Sequence, residues 1–134
     1  MTQEEKDLLL KVLCAMLPYG IMCRIDHDPE GEYDIGIDDE RFIDDRIVSV
    51  CHENEQIFVY EDEDYPYSTE EIRPYLRPMT SMTEEEENEW WEFADKNTIV
   101  ETHSYSIDWL NAHHFDYRGL IPMGLALPAP EGMY

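Results

Sequence analysis

Positive charge is scarce in this chain of 134 residues. Nine lysines and arginines stand against 32 aspartates and glutamates, which gives a formal net charge of -23 at pH 7. A protein with this charge does not neutralise nucleic-acid phosphates, and anionic lipid headgroups repel it. We therefore expect neither direct nucleic-acid binding nor association with a membrane.

The sequence also lacks a membrane-length apolar run, an export signal and a disulfide framework. No apolar run approaches the ~18 residues of a membrane span, and acids at Glu4, Glu5 and Asp7 occupy the place of an export signal's positive charges. The three cysteines form an odd number without a CxxC pair, which is typical of reduced thiols. We interpret Cys14 and Cys51 as small core residues and predict a cytoplasmic protein.

Apolar residues make up 43% of the chain, which is enough to build a core. We expect one domain over residues 1–134. Its clearest element is a helix from about Gln3 to Met16, because a capping-box sequence at Thr2 precedes apolar residues at helical spacing. Pro18 and Gly20 end this helix.

The pattern changes to alternation after the first helix. Four runs either alternate between apolar and polar residues or are rich in β-branched residues, and turns rich in Asp and Asn separate them. The runs are residues 21–25, 33–37, 47–50 and 57–60. They predict about four antiparallel strands.

Helix signals return in the second half of the chain. A capping box at Ser68 opens a short turn that Pro74 cuts, and further signals predict helices from about Thr83 to Asp95 and from about Ser106 to His113. The predicted fold class is α+β: an N-terminal helix, about four antiparallel strands, and two or three C-terminal helices packed on the sheet. The predicted inward residues of the second helix are Trp90, Trp91, Phe93 and Ala94, and those of an ordered C-terminal segment are Leu120, Ile121, Leu125 and Leu127.

The acids concentrate in the predicted strands, where residues 26–64 hold 16 acids and two bases. A calcium loop starting at Asp26 would need a bidentate glutamate where Ile37 stands, so we predict no metal site there. Five acids spaced by two would share one strand face at intervals of about 6.7 Å. They are Asp26, Asp28, Glu30, Glu32 and Asp34. Two interpretations stay open: a row that imitates a phosphate backbone, and a solvated face that keeps the protein soluble.

A candidate binding patch follows in the C-terminal third. Trp109, His114, Tyr117 and Arg118 combine aromatic bodies with polar tips, which is typical both of binding surfaces and of the rim of a small core. The adjacent His113 and His114 would point about 100° apart on a helix, so they are poorly placed to share a zinc ion. No catalytic, metal-binding or cofactor-binding motif is present, and we predict no cofactor.

Three stretches outside the acidic region are distinctive: LPYG at residues 17–20, IRPYLRPMTSMTEEE from Ile72, and DWLNAHHFDYRGLIPMGLALPAPEGMY from Asp108. Together with the opening of the chain they resemble a family of small uncharacterised proteins of anaerobic gut bacteria. Its members are often encoded in phage-like or mobile segments. The resemblance implies a bacterial or phage origin and brings no catalytic or binding residue with it.

These observations favour a non-enzymatic cytoplasmic protein that binds a protein partner. The alternative is an acidic phosphate-mimic inhibitor of a DNA-binding protein, which would need its carboxylates on one continuous face. An enzyme without a recognisable motif is the third hypothesis, and it would need a concave pocket with convergent polar groups. A plain interaction protein would instead show an exposed apolar patch.

Overall fold

The computed structural model describes residues 1–29, 41–96 and 102–134. Helix α1 spans Gln3–Met16, as the apolar spacing predicts. Its capping box is formed: the Thr2 hydroxyl accepts the Glu5 N–H at 3.1 Å, and the Glu5 carboxylate accepts the Thr2 N–H at 3.0 Å. Cys14 is exposed, so its interpretation as a core residue is wrong; it lies one helical step beyond the buried Leu13.

Six strands follow within the described residues. They are β1 (Ile21–Asp26), β2 (Phe42–Cys51), β3 (Gln56–Val59), β4 (Asp62–Tyr67), β5 (Ile72–Leu76) and β6 (Leu127–Pro128). They form one mixed sheet in the order β4-β3-β2-β1-β5-β6, antiparallel except for the β5–β6 pair. The predicted α+β class is confirmed, while about four strands is too few. The strand predicted over residues 33–37 lies outside the described residues.

Strand β5 forms where the sequence suggested a turn cut by Pro74. The Ser68–Glu71 box does form a turn, since the Ser68 N–H and hydroxyl both donate to the Glu71 carboxylate at 3.1 Å. The chain then alternates, with Ile72, Pro74 and Leu76 buried. Pro74 lies opposite Cys23 at the last antiparallel pair of the β1–β5 ladder, a position where a missing N–H is tolerated.

The main core lies between α1 and one face of the sheet. Buried residues of α1 pack against alternate residues of β1, β2, β3 and β5. The C-terminal segment completes this core: Leu120 and Leu125 are buried, as predicted, and Ile121 packs at the edge. Burial of each such side chain stabilises the fold by about 1.5–3 kcal/mol.

The two later helices are α2 (Glu84–Lys96) and α3 (Thr102–Ala112). They pack on each other, and a second apolar cluster forms from Trp109, Leu110 and Phe115 with Met82, Trp90 and Tyr117 around it. The prediction that C-terminal helices cover the sheet is therefore wrong in this respect, because α1 and the C-terminal segment do so. Of residues 84–92 of α2, only Glu86 and Trp90 are partly buried, and the side chains of Phe93 and Ala94, which the sequence predicts to be inward, lie outside the described residues.

Candidate functional site

The turn between β5 and α2 positions the most distinctive side chains. Pro78 begins a 3-10 turn over Met79–Ser81, in which the Ser81 N–H donates to the Pro78 carbonyl at 2.8 Å. Helix α2 then starts with a capping box: the Thr83 hydroxyl accepts the Glu86 N–H at 3.1 Å, and the Thr83 N–H donates to the Glu86 carboxylate at 3.0 Å.

Glu86 also binds Arg77 at the end of β5. Both terminal guanidinium nitrogens of Arg77 donate to the two Glu86 oxygens, each at 2.7 Å. This fork, together with the Thr83 N–H, lowers the pKa of Glu86 to about 2. The guanidinium lies 4.2 Å from the ring centre of Phe115, which fixes it against the second cluster.

Two adjoining cavities share Arg77 and Tyr134, and we call them together the Arg77 cleft. One has a volume of about 460 Å³ and the other about 440 Å³. The remaining lining residues are Ser81, Thr83, Ala129, Pro130, Glu131 and Gly132 in the first, and Tyr19, Glu86, Ala112, His113 and His114 in the second. The Arg77 guanidinium is already paired with Glu86, so it is not a free positive charge in the cleft.

His114 and Tyr134 form the inner wall of the cleft. Their rings stack with centroids 3.7 Å apart, and His114 Nε2 lies 2.6 Å from the Gly20 carbonyl oxygen. Because a carbonyl only accepts, Nε2 carries the proton and donates. Burial lowers the pKa of His114. The Tyr134 hydroxyl accepts the Met22 N–H at 2.9 Å and donates to the Tyr75 carbonyl at 2.7 Å, which joins β1 to β5 where their ladder ends.

A second concave feature adjoins the same turn through Met79 and Thr80, and we call it the tryptophan groove. It has a volume of about 350 Å³ and is lined by Met79, Thr80, Met82, Glu87, Trp90 and Trp91. Trp91 is 55% exposed and Met79 is 40% exposed. The two indole rings lie 5.0 Å apart at an angle of 63°. The indole N–H of Trp90 is buried and has no acceptor among the described residues.

One carboxylate, that of Glu87, lines the tryptophan groove, and the helix that carries it is rich in other acids. Five glutamates between residues 84 and 92 are exposed: Glu84, Glu85, Glu87, Glu89 and Glu92. They share α2 with the indoles, and no lysine or arginine of the described chain lies within 4 Å of any of them. The groove thus combines exposed apolar surface with one lining carboxylate, on a helix of high negative charge.

The predicted binding patch is mostly internal. Trp109 is 6% exposed, stacks between His113 and Phe115, and donates from its indole N–H to Glu89 at 3.3 Å. The Tyr117 hydroxyl donates to Asn111 at 2.9 Å, and the exposed Arg118 lies over the Tyr117 ring at 5.3 Å. Of these four predicted residues, His114 lines the Arg77 cleft.

The predicted acidic row is described only at its start. The Asp26 carboxylate is paired with the Arg41 guanidinium at 3.0 Å. Burial alone would raise the pKa of Asp26, but the hydrogen bond from Arg41 opposes it and the pKa is lowered. Asp28 is 4% exposed. These two side chains do not contribute freely exposed charges to a surface row. Glu30, Glu32 and Asp34 lie outside the described residues.

Sequence reasoning missed Arg77, Glu86, Trp91 and Tyr134 as site residues. It placed Trp90 and Trp91 together on the buried side of α2, which is wrong for Trp91, since successive helical residues point about 100° apart. The capping-box sequence from Thr83 to Glu86 could have indicated Glu86, because a capping box fixes where its glutamate lies relative to the preceding turn.

The three distinctive stretches of the sequence meet at the Arg77 cleft. Tyr19 comes from the first, Arg77 and Glu86 from the second, and His114 and Tyr134 from the third. Comparisons with protein-family models, curated proteins and solved structures find no match for this chain. In the parts of the chain that the structure describes, no helix is long and apolar enough to cross a membrane, and no cluster of potential metal ligands is present.

Proposed function

We propose that the protein is a non-enzymatic interaction protein of bacterial or phage origin that acts in the cytoplasm. Its partner is a protein with a positively charged segment, and the tryptophan groove receives that segment. The observation that carries the proposal is the exposure of Trp91 and Met79 in a groove that Glu87 also lines, on an acidic helix.

The apolar part of the groove supplies the anchoring energy. Exposed tryptophan and methionine side chains are enriched at protein interfaces, and burying one tryptophan in a complex contributes up to several kcal/mol. Trp91 leaves more than half of its surface exposed in the free protein, so this contribution is available on binding.

Charge supplies partner selection and fast association. The exposed glutamates of α2 attract a cationic segment and repel anionic competitors, which favours basic partners. A net charge of -23 reinforces the attraction over longer distances.

A phosphate-mimic inhibitor is the alternative proposal. In its favour, Glu61, Asp62, Glu63 and Asp64 are all exposed in and beside the edge strand β4. On this alternative, electrostatics alone would hold a DNA-binding protein, so binding would be lost at high salt and would not depend on Trp91.

The test compares two exposed aromatic residues by substitution. Trp91→Ala removes the proposed anchor, and Tyr65→Ala is the control, because Tyr65 on β4 is 53% exposed and Trp91 is 55% exposed. Partners are recovered from an extract of the native host on the immobilised full chain and quantified by mass spectrometry. We expect a partner that Trp91→Ala loses and Tyr65→Ala retains, with a basic segment in its sequence.

Salt separates the two proposals. Retention of that partner by the native chain at high salt, together with its loss in Trp91→Ala, supports the groove. A partner that salt releases and that binds both variants equally supports the mimic and contradicts the groove.

A further inference from the structure

The geometry of the tryptophan groove points to one specific anchor: we infer that it binds the ammonium group of a lysine side chain of the partner. This inference rests on the proposed function for the source of the lysine. The chemistry of the groove can be tested without any partner.

The indole rings are the first reason. Tryptophan is the aromatic side chain that attracts cations most strongly through its ring face. Arginines of the described chain lie over Phe42, Tyr60, Phe115 and Tyr117. Within the same described residues no cation lies over Trp90 or Trp91, so no internal cation competes with a ligand for the exposed part of these rings.

The second reason is the carboxylate at the rim. Glu87 lines the groove together with the two indoles, which places negative charge beside an apolar corner. A bound cation therefore finds both a ring face and a counter-charge in one cavity. The methionines Met79 and Met82 offer apolar surface to the methylene groups that carry the ammonium.

The angle between the rings favours lysine over arginine. A flat guanidinium gains most by lying parallel to an aromatic plane. The planes of Trp90 and Trp91 meet at 63°, so a guanidinium can lie parallel to only one of them. A compact ammonium in the corner contacts both.

The test uses butylammonium, which has the length and charge of a lysine side chain, and 1-butanol as its neutral counterpart. The full chain is labelled with nitrogen-15, and the indole signals of its three tryptophans are followed during titration at ~0.15 M NaCl, which screens diffuse attraction to the polyanion. The signal of Trp109, whose N–H is bonded to Glu89, is the internal reference.

We expect butylammonium to shift the Trp90 and Trp91 signals saturably at millimolar concentration and to leave Trp109 unchanged. Glu87→Gln should weaken binding about threefold or more. Glu85→Gln, which removes an equal charge from the same helix outside the groove, should have a smaller effect. Equal shifts with 1-butanol, equal effects of the two glutamate variants, or tighter binding of propylguanidinium would overturn the inference.

The two proposals fail in different ways. If the Trp91→Ala chain loses its partner but butylammonium does not bind, the groove is a docking site with an apolar anchor and the lysine inference is wrong. If butylammonium binds but the Trp91→Ala chain recovers its partner as well as the native chain does, the inference about the groove's chemistry holds and the proposed function is wrong.

Discussion

Glu86 links three neighbours through one carboxylate, and this makes its charge important for stability. It closes the capping box of α2, accepts both Arg77 nitrogens and lies 3.8 Å from His113. Replacing it by glutamine keeps a capping oxygen but removes the counter-charge of a guanidinium that is only 22% exposed. Most of the stability lost in this variant would therefore come from leaving the Arg77 guanidinium without its counter-charge.

We expect Glu86→Gln to lower the free energy of unfolding at pH 7 by about 1–2 kcal/mol. The pKa of Glu86 is about 2 in the folded protein against 4.5 ordinarily, so its contribution is complete above pH 4.5 and disappears as the pH falls through 2. Urea unfolding of both chains between pH 7 and pH 2 measures this. A difference between the two chains that stays constant over that range would contradict the prediction.

His114 should produce a separate pH dependence at higher pH. Burial lowers its pKa below the ordinary histidine value of 6.5, so the folded protein prefers the neutral imidazole and protonation favours unfolding. We expect stability to fall as the pH drops from about 7 to about 5, and His114→Asn to reduce that slope. Asparagine suits the test because position 114 has a φ of 62°, which asparagine tolerates well. An unchanged slope of the unfolding free energy against pH would show that His114 does not titrate on unfolding.

Among the elements, β5 shows best what local sequence can and cannot predict. Helix α1 was predictable to the residue, because its cap and its apolar period agree within one short segment. The alternation of β5 was also visible, but Pro74 suggested a break, and pairing with the neighbouring β1 and β6 makes a strand favourable there. The two-residue β6 depends wholly on its partner and has no local signal.

The same limit applies to the candidate site. His114 could be singled out by its aromatic and polar neighbours, and it does line the Arg77 cleft. The pairing of Arg77 with Glu86 depends on the turn that brings them together, and the position of Tyr134 depends on a contact across more than a hundred residues. The periodicity of apolar residues indicates local secondary structure, and it does not indicate contacts between residues so far apart in the sequence.

The junction of β1 and β5 provides a test at the element scale. Tyr134→Phe keeps the ring stacked on His114 but removes the hydroxyl that bridges Met22 and Tyr75. We expect a loss of about 1–2 kcal/mol in unfolding free energy and faster hydrogen exchange at the Met22 amide. The control is Tyr60→Phe, because Tyr60 is 60% exposed. This variant should lose almost no unfolding free energy. Equal losses in the two variants would mean that the bridge contributes nothing.

At the scale of the whole molecule, the charge balance should make stability depend on salt. A net charge of -23 on one small protein produces repulsion that unfolding relieves. Raising NaCl from a few millimolar to ~0.15 M shortens the screening length to ~8 Å, so we expect the melting temperature to rise. Calorimetry at a series of salt concentrations measures this, and a melting temperature that falls or stays flat would show that the acids are already compensated.

The different exposure of the three tryptophans also has a spectroscopic consequence. Trp109 is buried and Trp90 is partly buried, whereas Trp91 stands exposed among carboxylates. Collisional quenchers of opposite sign should therefore affect the fluorescence unequally: caesium ions concentrate near Trp91 and iodide is kept away. The emission that caesium removes is that of Trp91, so the chain carries its own optical reporter of whatever occupies the groove.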